Sequence, residues 1–533
     1  MTQLFQPSSR RLARCRRDLP VANRGIRVRP NCGCPTLIWL LLFVFFAGSP
    51  ATAEVSVPNI FGNHMVLQRD QPNPVWGRAS AGESVQVEIA GQSHSVSADD
   101  QGDWRVTLDP LAATAEPLEM VIRGENEIRL DDVLVGEVWV CSGQSNMAWR
   151  VAQSENAELV AAAAQTPMIR MINFPQVGTQ EAIWTHDRPW LVCSPETVGD
   201  FSAVGYFFAR QLQQTLHVPV GMINNAWGGS ACEAWINRDV LAETDSMKPL
   251  LDRWRTNESR FEELAAKSNR TPGEEMAHNN LSKLMRGNSR PANIYNGVLK
   301  SHLGFGIRGA IWYQGESNAG RAYQYRELFP LMIQNWRDEW KQGDFPFYWV
   351  QLADFRPEVA EPGDSSWAEL REAQTMTMDR LPHTGEAVII DLGEAKDIHP
   401  RNKVDVGMRL ARWALANEYG FDIAHRSPRF ESLEVRDDRA VLSFQHAASG
   451  WRPFDIATPV GFTIAGADRV FHHAQAVILR DGRIEVSAEA VPEPKAVRYA
   501  WADNPVCNLY SNDDLPLTPF RTDDWPGITA DKH

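Results

Sequence analysis

Residues 54 to about 132 alternate apolar and polar side chains in short runs that are separated by glycine, asparagine and aspartate. Alternation with a period of two is typical of strands that bury one face, and the separating residues mark turns. The alternating stretches are "HMVLQRD", "ESVQVEIAG", "HSVSADDQGDWRVTLD" and "LEMVIRGENEIRLDDV". Short strands at this spacing predict a small β-sandwich-like domain over residues 54–132.

From residue 133 to about 420, continuous apolar runs alternate with amphipathic stretches. The runs that predict strands are "VLVGEVWVC", "VPVGMINNAW", "IRGAIWYQG", "FPFYWVQLA" and "EAVIIDLG". The stretches that predict helices are "FSAVGYFFARQLQQTL", with Val204, Phe207, Phe208 and Leu212 on one face, "YQYRELFPLMIQNWRDEW" and "KVDVGMRLARWALANEY". Strand–helix alternation predicts an α/β domain over residues 133–420, built on a parallel sheet that is covered on both faces.

Two further regions differ from this central pattern. Residues 240–290 are polar, rich in Glu, Arg, Ser and Asn, and predict a surface insertion that contains a helix or two. Residues 421–533 return to the alternating pattern in "RAVLSFQHA", "VGFTIAG", "QAVILRDGRIEVSAEAV" and "AVRYAW". The pattern predicts a C-terminal β-rich region, and it leaves open whether the two β-regions form one body or two.

The first 53 residues have the layout of a secretory signal peptide. Arginines from Arg10 to Arg29 precede the apolar run "LIWLLLFVFFAG", and a small-x-small site follows at residues 51–53. An uncleaved anchor is the alternative, but the uninterrupted apolar run is short for a membrane span, which needs about 20 residues. We expect an exported, periplasmic or extracellular protein without stable membrane insertion, whose mature chain starts near Glu54.

Composition and charge narrow the class of protein. The chain has 533 residues, of which 43% are hydrophobic and 23% charged, as in soluble globular proteins of two or three domains. Its net charge is −14 although the leader is basic, so the body is acidic and nucleic acid is not an expected partner. Four of the seven cysteines lie beyond the leader, and their pairing stays open. They include no C-x-x-C pair, so a zinc or redox motif is not expected. We expect the protein to need no metal or organic cofactor.

Small and polar residues follow four of the predicted strands. These residues are Ser145 in "GQSNM"; Gly228, Gly229 and Ser230 in "WGGSACEAW"; Gln314, Glu316 and Asn318 in "QGESNAG"; and Asp397 and His399 in "KDIHPRN". Because parallel strands end at the same edge of a sheet, we expect these residues to meet there. They supply a hydroxyl, bare backbone amides, an amide side chain and an acid–imidazole pair.

This set of groups suits acyl transfer. A serine hydroxyl becomes a good nucleophile when a histidine removes its proton, and a carboxylate beside the histidine fixes its tautomer. The oxyanion that forms needs preorganised donors, which glycine amides and an asparagine side chain can provide. "GQSNM" lacks the second glycine of G-x-S-x-G, so it is not the nucleophile elbow of α/β-hydrolases. Ser142, three residues before Ser145, is expected to belong to the turn.

The four blocks "GQSNM", "WGGS", "QGESN" and "DIHP", in this order, resemble the SGNH hydrolase superfamily. Their fuller spelling, "VWVCSGQSNM", "IWYQGESN" and "DIHPRNK", is similar to the sialate O-acetylesterase family within it. The flanking stretches "VPNIFGNHMVLQRDQPNPVWG" and "NLYSNDDLPLTPFRTD" agree with this resemblance, which covers nearly the whole mature chain. It implies an SGNH-type, flavodoxin-like α/β hydrolase domain between two β-sandwich-like regions.

The resemblance also implies roles for individual residues. Ser145 is the expected nucleophile and His399 the general base, while the Ser145 amide, a glycine amide (Gly229 before Gly228) and Asn318 form the oxyanion hole. In the wider superfamily an aspartate stands three residues before the histidine, whereas Asp397 stands two before His399. Asp397 is the first candidate for orienting the imidazole. Asp391, Glu316 or a backbone carbonyl are the alternatives.

Substrate contacts are expected from residues that flank these blocks. The candidates are Gln144, Gly228, Gln314, Glu316 and Trp227, of which Gln144 and Glu316 are expected mainly to brace the site by hydrogen bonds. Trp149 and Trp235 also lie close enough to line a pocket.

The resemblance implies an esterase that removes O-acetyl groups from a glycan, with sialic acid first among substrates. A deacetylase of xylan or another polysaccharide and a non-catalytic glycan-binding protein are the alternatives. The oligomeric state stays open.

Overall fold

The computed structural model describes residues 54–533, so the predicted signal peptide lies outside the described residues. The first strands are β1 (Val66–Gln68), β2 (Asn73–Arg78), β3 (Ser84–Ile89), β4 (Gln92–Ser97), β5 (Asp103–Leu108), β6 (Thr114–Arg123) and β7 (Glu127–Gly143). Strands β4, β3, β6 and β7 pair antiparallel in that order, and β2 pairs with β5 in a separate two-stranded sheet. Val75 of β2 and Val87 of β3 are fully buried in a core that both sheets share.

Strand β7 connects the N-terminal sheet to the central sheet. Its first half pairs with β6, and its second half, from Glu137 to Gly143, pairs with two strands of the central sheet. Residue 132, where the sequence pattern places the end of the N-terminal β-domain, therefore lies inside a single strand of 17 residues. All described residues belong to one compact unit.

The central sheet continues with β8 (Ile169–Asn173), β9 (Trp190–Val192), β10 (Val220–Asn224), β11 (Gly309–Tyr313), β12 (Phe347–Val350) and β13 (Thr384–Ala387). Its order is β9-β8-β10-β7-β11-β12-β13, and all neighbours are parallel except β8 and β9. The sequence pattern did not predict β8 and β9, which extend the β10 edge. Without them the order is 2-1-3-4-5, which is that of flavodoxin.

Helices cover both faces of this sheet. They are α1 (Ser145–Ala148), α2 (Ala157–Ala163), α3 (Ala203–Leu216), α4 (Arg238–Glu243), α5 (Lys248–Ala265), α6 (Pro272–Met285), α7 (Asn293–Gly297), α8 (Ala322–Trp340), α9 (Ser366–Thr377) and α10 (Lys403–Asn417). Short 3-10 turns occupy Val151–Gln153, Val198–Asp200, Cys232–Trp235, Asp245–Met247, Leu299–Ser301 and Glu316–Arg321. The three predicted helices are confirmed as α3, α8 and α10, and the stretch 240–290 forms α5 and α6.

Side chains of the central strands alternate between the two helical layers. In β7, Trp139 and Cys141 pack into the core formed with α3 and α10, whereas Val138 and Val140 pack into the core formed with α8 and α9. A strand that is buried on both faces needs apolar residues at every position. This explains why these strands appeared in the sequence as continuous apolar runs.

The C-terminal region forms antiparallel sheets. Its strands are β14 (Arg429–Arg436), β15 (Arg439–Gln445), β16 (Trp451–Pro453), β17 (Phe462–Ala465), β18 (Phe471–His473), β19 (Gln475–Ile478), β20 (Ile484–Ser487), β21 (Ala496–Tyr499), β22 (Leu509–Ser511) and β23 (Phe520–Arg521). The sheets β14-β15-β20-β19 and β18-β17-β21-β23 bury Leu442 and Ile464 in a shared core, and β16 pairs with β22.

After β23 the chain returns to the α/β domain. The Glu369 carboxylate on α9 accepts hydrogen bonds from the amides of Ile528 and Thr529. Cysteines 141, 193, 232 and 507 are all free. Within residues 54–533, no helix combines the length and the apolar character that crossing a membrane requires.

Candidate active site

Ser145 begins helix α1 at the carboxyl end of the central strand β7. The turn before it depends on Gly143, whose φ of 127° favours glycine. A Cβ at Gly143 would lie 2.2 Å from the carbonyl oxygen of Tyr313 on the neighbouring strand β11. The Gln144 amide donates to that same carbonyl oxygen at 2.9 Å. The turn thus holds Ser145 close to the end of β11, beside the point where the strand order reverses.

The Ser145 hydroxyl lies within hydrogen-bonding distance of the His399 imidazole, with 2.8 Å between Oγ and Nε2. His399 follows β13, so the pair is separated by 254 residues in sequence and joined by the sheet edge. On the other side of the ring, Nδ1 lies 3.2 Å from Oδ1 of Asp397. The geometry of these three side chains is that of a nucleophile, a base and an acid that orients the base.

The alternatives for the orienting acid have other partners. Asp391 forms two hydrogen bonds of 2.6 Å with the Arg409 guanidinium. Glu316 accepts a hydrogen bond from Asn146 at 2.7 Å. Of the candidates named from the sequence, Asp397 is therefore the carboxylate that contacts His399.

The two serines of "VWVCSGQSNM", Ser142 and Ser145, have different surroundings. Ser142 lies inside strand β7 rather than in the turn, it is fully buried, and its hydroxyl has no hydrogen-bond partner among residues 54–533. Ser145 is partly exposed and contacts His399. Only Ser145 has the access and the partner that a nucleophile needs.

The two glycines after β10 form a tight turn beside Ser145. The Ser230 amide donates to the Trp227 carbonyl, and Gly229 has a φ of 71°. Asn288 donates to the Gly228 carbonyl. Because the N–H and C=O of one peptide point in opposite directions, the Gly228 and Gly229 amides face away from these bonds.

Neither glycine amide donates a hydrogen bond within the described chain, so both are available as donors. A Cβ at Gly228 would lie 3.4 Å from the Ser145 Cβ, whereas at Gly229 it would meet the Asn288 side chain. Gly228 is thus the glycine that lies alongside Ser145, although the sequence favoured Gly229.

The Asn318 side chain is buried and held in one orientation. Its Oδ1 accepts hydrogen bonds from Gln314 Nε2 at 2.7 Å and from the Cys232 amide at 2.9 Å. Its Nδ2 donates one hydrogen to Glu233 at 3.0 Å, and the second hydrogen has no acceptor among residues 54–533. Glu233 is in turn paired with Arg321 at 2.7 Å. The network leaves one N–H of Asn318 free to donate.

The structure shows the burial and the hydrogen bonds of three residues that were expected to contact substrate. Gln314 has no exposed surface, and its side-chain amide bonds to Ser230, Asn318 and Tyr325, so it braces the site and offers no surface for the expected contact with substrate. Gln144 Oε1 lies 3.4 Å from the amides of Gly315 and Ser317 and also braces this loop. Glu316 is partly buried, and burial raises the pKa of its carboxyl.

The tryptophans near the blocks have different roles. Trp149 stacks on the His399 imidazole, with 4.8 Å between ring centroids and 16° between ring planes. Trp227 is partly exposed, as a residue lining a pocket would be, and its amide donates to Gly143. Trp235 is fully buried among core aromatics, so the expectation that it lines a pocket is wrong.

Sequence reasoning missed Asn146 and Lys403. Asn146 donates to the Ile398 carbonyl beside His399, and Lys403, on α10, donates to Asn146 at 2.6 Å. Lys403 is fully buried, and burial lowers its pKa to about 7. Both residues lie inside the motif blocks, but only the structure shows the contacts that they make across the sheet edge. Within the described part of the chain, no group of three or more His, Cys, Asp or Glu side chains could hold a metal ion.

A family model for carbohydrate esterases, described as sialic acid-specific acetylesterase, matches residues 135–266 and 280–416. The chain belongs to this family. As a member of it, the protein is a carboxylic ester hydrolase. The matched residues include Ser145, Gly228 and Asn318 together with His399, so the site described above lies inside the family region.

Individual relatives agree with the family assignment. Sialate O-acetylesterase of Mus musculus is 28% identical over 436 residues, which cover 72% of this chain and 77% of the mouse protein. The human sialate O-acetylesterase is 27% identical over 445 residues, with 76% and 79% coverage. The crystal structure of a carbohydrate acetylesterase from Xanthomonas citri matches with 37% identity and a TM-score of 0.77, over 89% of this chain and 100% of that one.

Proposed function

We propose that this family member is an exported serine esterase that removes O-acetyl groups from glycans, with O-acetylated sialic acid first among its substrates. The observation that carries the proposal is the contact between Ser145 Oγ and His399 Nε2, at 2.8 Å, inside the region that matches the family. Its membership of the SGNH superfamily is supported by the flavodoxin-like strand order and by the four sequence blocks. Export is supported by the signal-peptide layout of the leader.

In the first half of the reaction, Ser145 Oγ attacks the carbonyl carbon of the acetyl group while His399 Nε2 takes the hydroxyl proton. Asp397 keeps Nδ1 protonated, so that Nε2 is free to accept, and stabilises the imidazolium that forms. When the tetrahedral intermediate collapses, the C–O bond to the sugar breaks, and His399 returns the proton to the sugar oxygen. An acetyl ester of Ser145 remains.

In the second half, His399 Nε2 removes a proton from water, and the resulting hydroxide attacks the acetyl carbon. Collapse breaks the bond to Ser145 Oγ, which recovers its proton from His399, and acetate leaves. The chain's own residues supply every proton transfer, with no metal or organic cofactor in the scheme.

The negative oxygen of both tetrahedral intermediates is stabilised by nearby donors. We assign this role to the Ser145 amide, an amide of Gly228 or Gly229, and the free N–H of Asn318. Preorganised donors of this kind contribute about 3–4 kcal/mol each to transition-state stabilisation. The bonds that Gln314, Cys232 and Glu233 make to Asn318 support its assignment, because they fix its amide in place before substrate binds.

The test measures acetate release from O-acetylated sialic acid and from acetylated xylan, by wild type and by Ser145→Ala. We expect Ser145→Ala to lose about 10³-fold or more of kcat. Ser142→Ala is the matched control, because Ser142 is a buried serine without contact to His399, and it should keep wild-type activity. Equal acetate release by Ser145→Ala and wild type would contradict the mechanism. If neither protein releases acetate, glycan binding without turnover is the remaining function.

A second substrate class is favoured by one observation. The identity to the carbohydrate acetylesterase from Xanthomonas citri, 37%, exceeds the 28% identity to the mouse sialate O-acetylesterase. That relative acts on a carbohydrate that its name does not specify, so acetylated carbohydrates other than sialic acid, such as xylan or another polysaccharide, are the second candidate. Release of acetate from xylan, with none from O-acetylated sialic acid, would replace the first candidate by this one.

A further inference from the structure

The Asn146 side chain, next to the nucleophile in sequence, connects the nucleophile turn to the loop that carries the base. Its Nδ2 donates to Glu316 Oε1 at 2.7 Å and to the Ile398 carbonyl at 3.0 Å. Its Oδ1 accepts from Lys403 Nζ at 2.6 Å. Ile398 directly precedes His399, so one of these bonds fixes the backbone from which the imidazole projects.

Lys403 and one carboxylate oxygen of Glu316, which are partners of Asn146 or belong to one, are buried away from water. Lys403 has no exposed surface, and its ammonium lies 5.2 Å from the centroid of the Tyr313 ring. Glu316 Oε2 is buried without a hydrogen-bond partner among residues 54–533. No carboxylate of the described chain forms a salt bridge with Lys403, so the amide of Asn146 is what joins the two charges. Buried charges cost free energy, and in some proteins such groups impose one arrangement of their neighbours.

Donor and acceptor chemistry fixes the orientation of this amide. An ammonium can only donate, and an ionised carboxylate or a carbonyl oxygen can only accept. If Asn146 flipped, its Nδ2 would face Lys403, and its Oδ1 would face Glu316 and the Ile398 carbonyl. With Lys403 and Glu316 in their charged forms, all three contacts would become repulsive, and the contact with the Ile398 carbonyl would do so in any form. The observed orientation is the one in which each contact joins a donor to an acceptor.

We propose that Lys403 and Glu316 are positioning residues for His399, which act through Asn146 by locking its amide so that it holds the Ile398 carbonyl. The inference deepens the proposed function and rests on it, since it presupposes that His399 activates Ser145. Neither charged residue touches the reacting atoms. Their effect is on the distance and angle between the imidazole and the hydroxyl, on which the rate of proton transfer depends.

The two charges also depend on each other. Lys403 favours the ionised form of Glu316, and Glu316 favours the charged form of Lys403. Without Lys403, the pKa of the buried Glu316 carboxyl rises further, so the carboxyl binds a proton more readily. A neutral carboxyl can donate as well as accept. Removing one charge therefore weakens both constraints on the amide of Asn146. The losses from the two single substitutions are then not additive.

The experiment compares Lys403→Met, Glu316→Gln and the double variant with wild type. It measures kcat and KM for acetate release, the rate at which a fluorophosphonate labels Ser145, and the melting temperature. We expect each single variant to lose about tenfold or more of kcat, with KM within about threefold of wild type. Labelling should slow in proportion, because it depends on activation of Ser145 and not on glycan binding. The double variant should lose about as much as the worse single variant.

Arg337→Met is the matched control, since Arg337 is also a buried cation but bonds to the Phe345 and Pro382 carbonyls, away from Asn146. It should lower the melting temperature and leave kcat within about twofold of wild type. Lys403→Met should also lower the melting temperature, because Glu316 loses the nearby positive charge and Asn146 Oδ1 loses its donor. A loss of kcat in Lys403→Met that is absent in an equally destabilised Arg337→Met is therefore specific to the contact with Asn146. If Lys403→Met does not fold, Glu316→Gln decides alone.

The inference is overturned if the folded single variants retain kcat within about twofold of wild type, or lose kcat only in step with their melting temperature. It is also overturned if the single losses multiply in the double variant. Ser145→Ala, assayed in parallel, separates these results from failure of the proposed function. If wild type and Ser145→Ala release acetate equally, the esterase mechanism itself is wrong.

Discussion

Asp397 contacts His399 twice with one oxygen. Oδ1 of Asp397 accepts from the backbone amide of His399 at 2.9 Å and lies 3.2 Å from its ring Nδ1. The backbone bond compensates for the short spacing of the two residues, because it folds the loop back until the carboxylate reaches the ring. The Asp397 side chain is nevertheless 51% exposed, so water weakens its electrostatic effect on the ring.

We predict that Asp397→Asn lowers kcat by about 10- to 100-fold, less than the roughly 10⁴-fold known for a buried acid of this kind. The asparagine keeps the bond to the backbone amide, but its Nδ2 can face the ring and stabilise the wrong tautomer. Acetate release under saturating substrate measures the effect. Asp391→Asn, which disturbs the pair with Arg409, should lower the melting temperature instead. Equal loss of kcat in the two variants would argue against a specific role for Asp397.

Trp149 offers a flat surface to the His399 imidazole, so its removal should loosen the base. An aromatic pair contributes about 0.5–1.5 kcal/mol, which corresponds to a fall in kcat of up to about tenfold for Trp149→Ala. Trp149→Phe should retain most of the activity, because it keeps a ring face. The indole N–H that it loses is buried and has no partner among residues 54–533. Should both variants change KM and not kcat, Trp149 contacts the substrate instead of the base.

The glycine pair gives a prediction that separates activity from stability. Gly228→Ala places a methyl group 3.4 Å from the Ser145 Cβ, at a residue without positive φ. We expect a stable protein whose kcat/KM falls by about tenfold, since the methyl narrows the space beside the nucleophile. Gly229→Ala should instead lower the free energy of unfolding by about 1 kcal/mol, because its φ is 71°. Urea denaturation and acetate release measure the two effects, and the reverse pattern would contradict this assignment.

Arg371, fully buried on α9, connects the end of β12 to the C-terminal region. Its guanidinium donates to the carbonyls of Leu352, Ala353, Ala502 and Asp503. Arg371→Met leaves four carbonyl groups without this donor, and we expect the free energy of unfolding to fall by about 3 kcal/mol or more. Arg356→Met is the control, since Arg356 pairs with Asp503 on the surface and should cost about 1 kcal/mol at most. If denaturant melts show similar losses in the free energy of unfolding for the two variants, burial does not decide the cost.

Glu386 makes stability depend on pH. Burial raises the pKa of its carboxyl to about 7, whereas a glutamate in the unfolded chain titrates near about 4.3. Between these values the native state binds the proton more tightly than the unfolded state, so this residue's contribution to stability falls as pH rises through the window. Glu386→Gln should therefore match wild type near pH 5 and exceed it near pH 8, by on the order of 1–3 kcal/mol. Denaturant melts at the two pH values test this. The same difference in unfolding free energy between variant and wild type at both pH values would disprove it.

Helices and strands with a strong pattern could be predicted from the sequence alone. The face formed by Val204, Phe207, Phe208 and Leu212 became the buried face of α3, as its spacing required. Strand β8 was missed because Arg170 interrupts its apolar run, and β9 was missed because it is only three residues long.

The sequence by itself determined which chemical groups the protein brings to the sheet edge, because parallel strands end together and each block follows a strand. It did not determine how those groups pair. Asp397 was one of several candidates for the acid, and the structure places it against His399, whereas Gln314, a candidate for substrate binding, is buried.

Only the tertiary structure brought Asn146, Glu316 and Lys403 together. These three residues lie far apart in the chain, and the sequence around each one does not indicate which residues it contacts. Hydrogen bonds between side chains depend on distances of a few ångströms across strands, which local sequence patterns do not encode. The sequence thus specifies the parts of the site, and packing of the sheet and its loops decides which part acts on which.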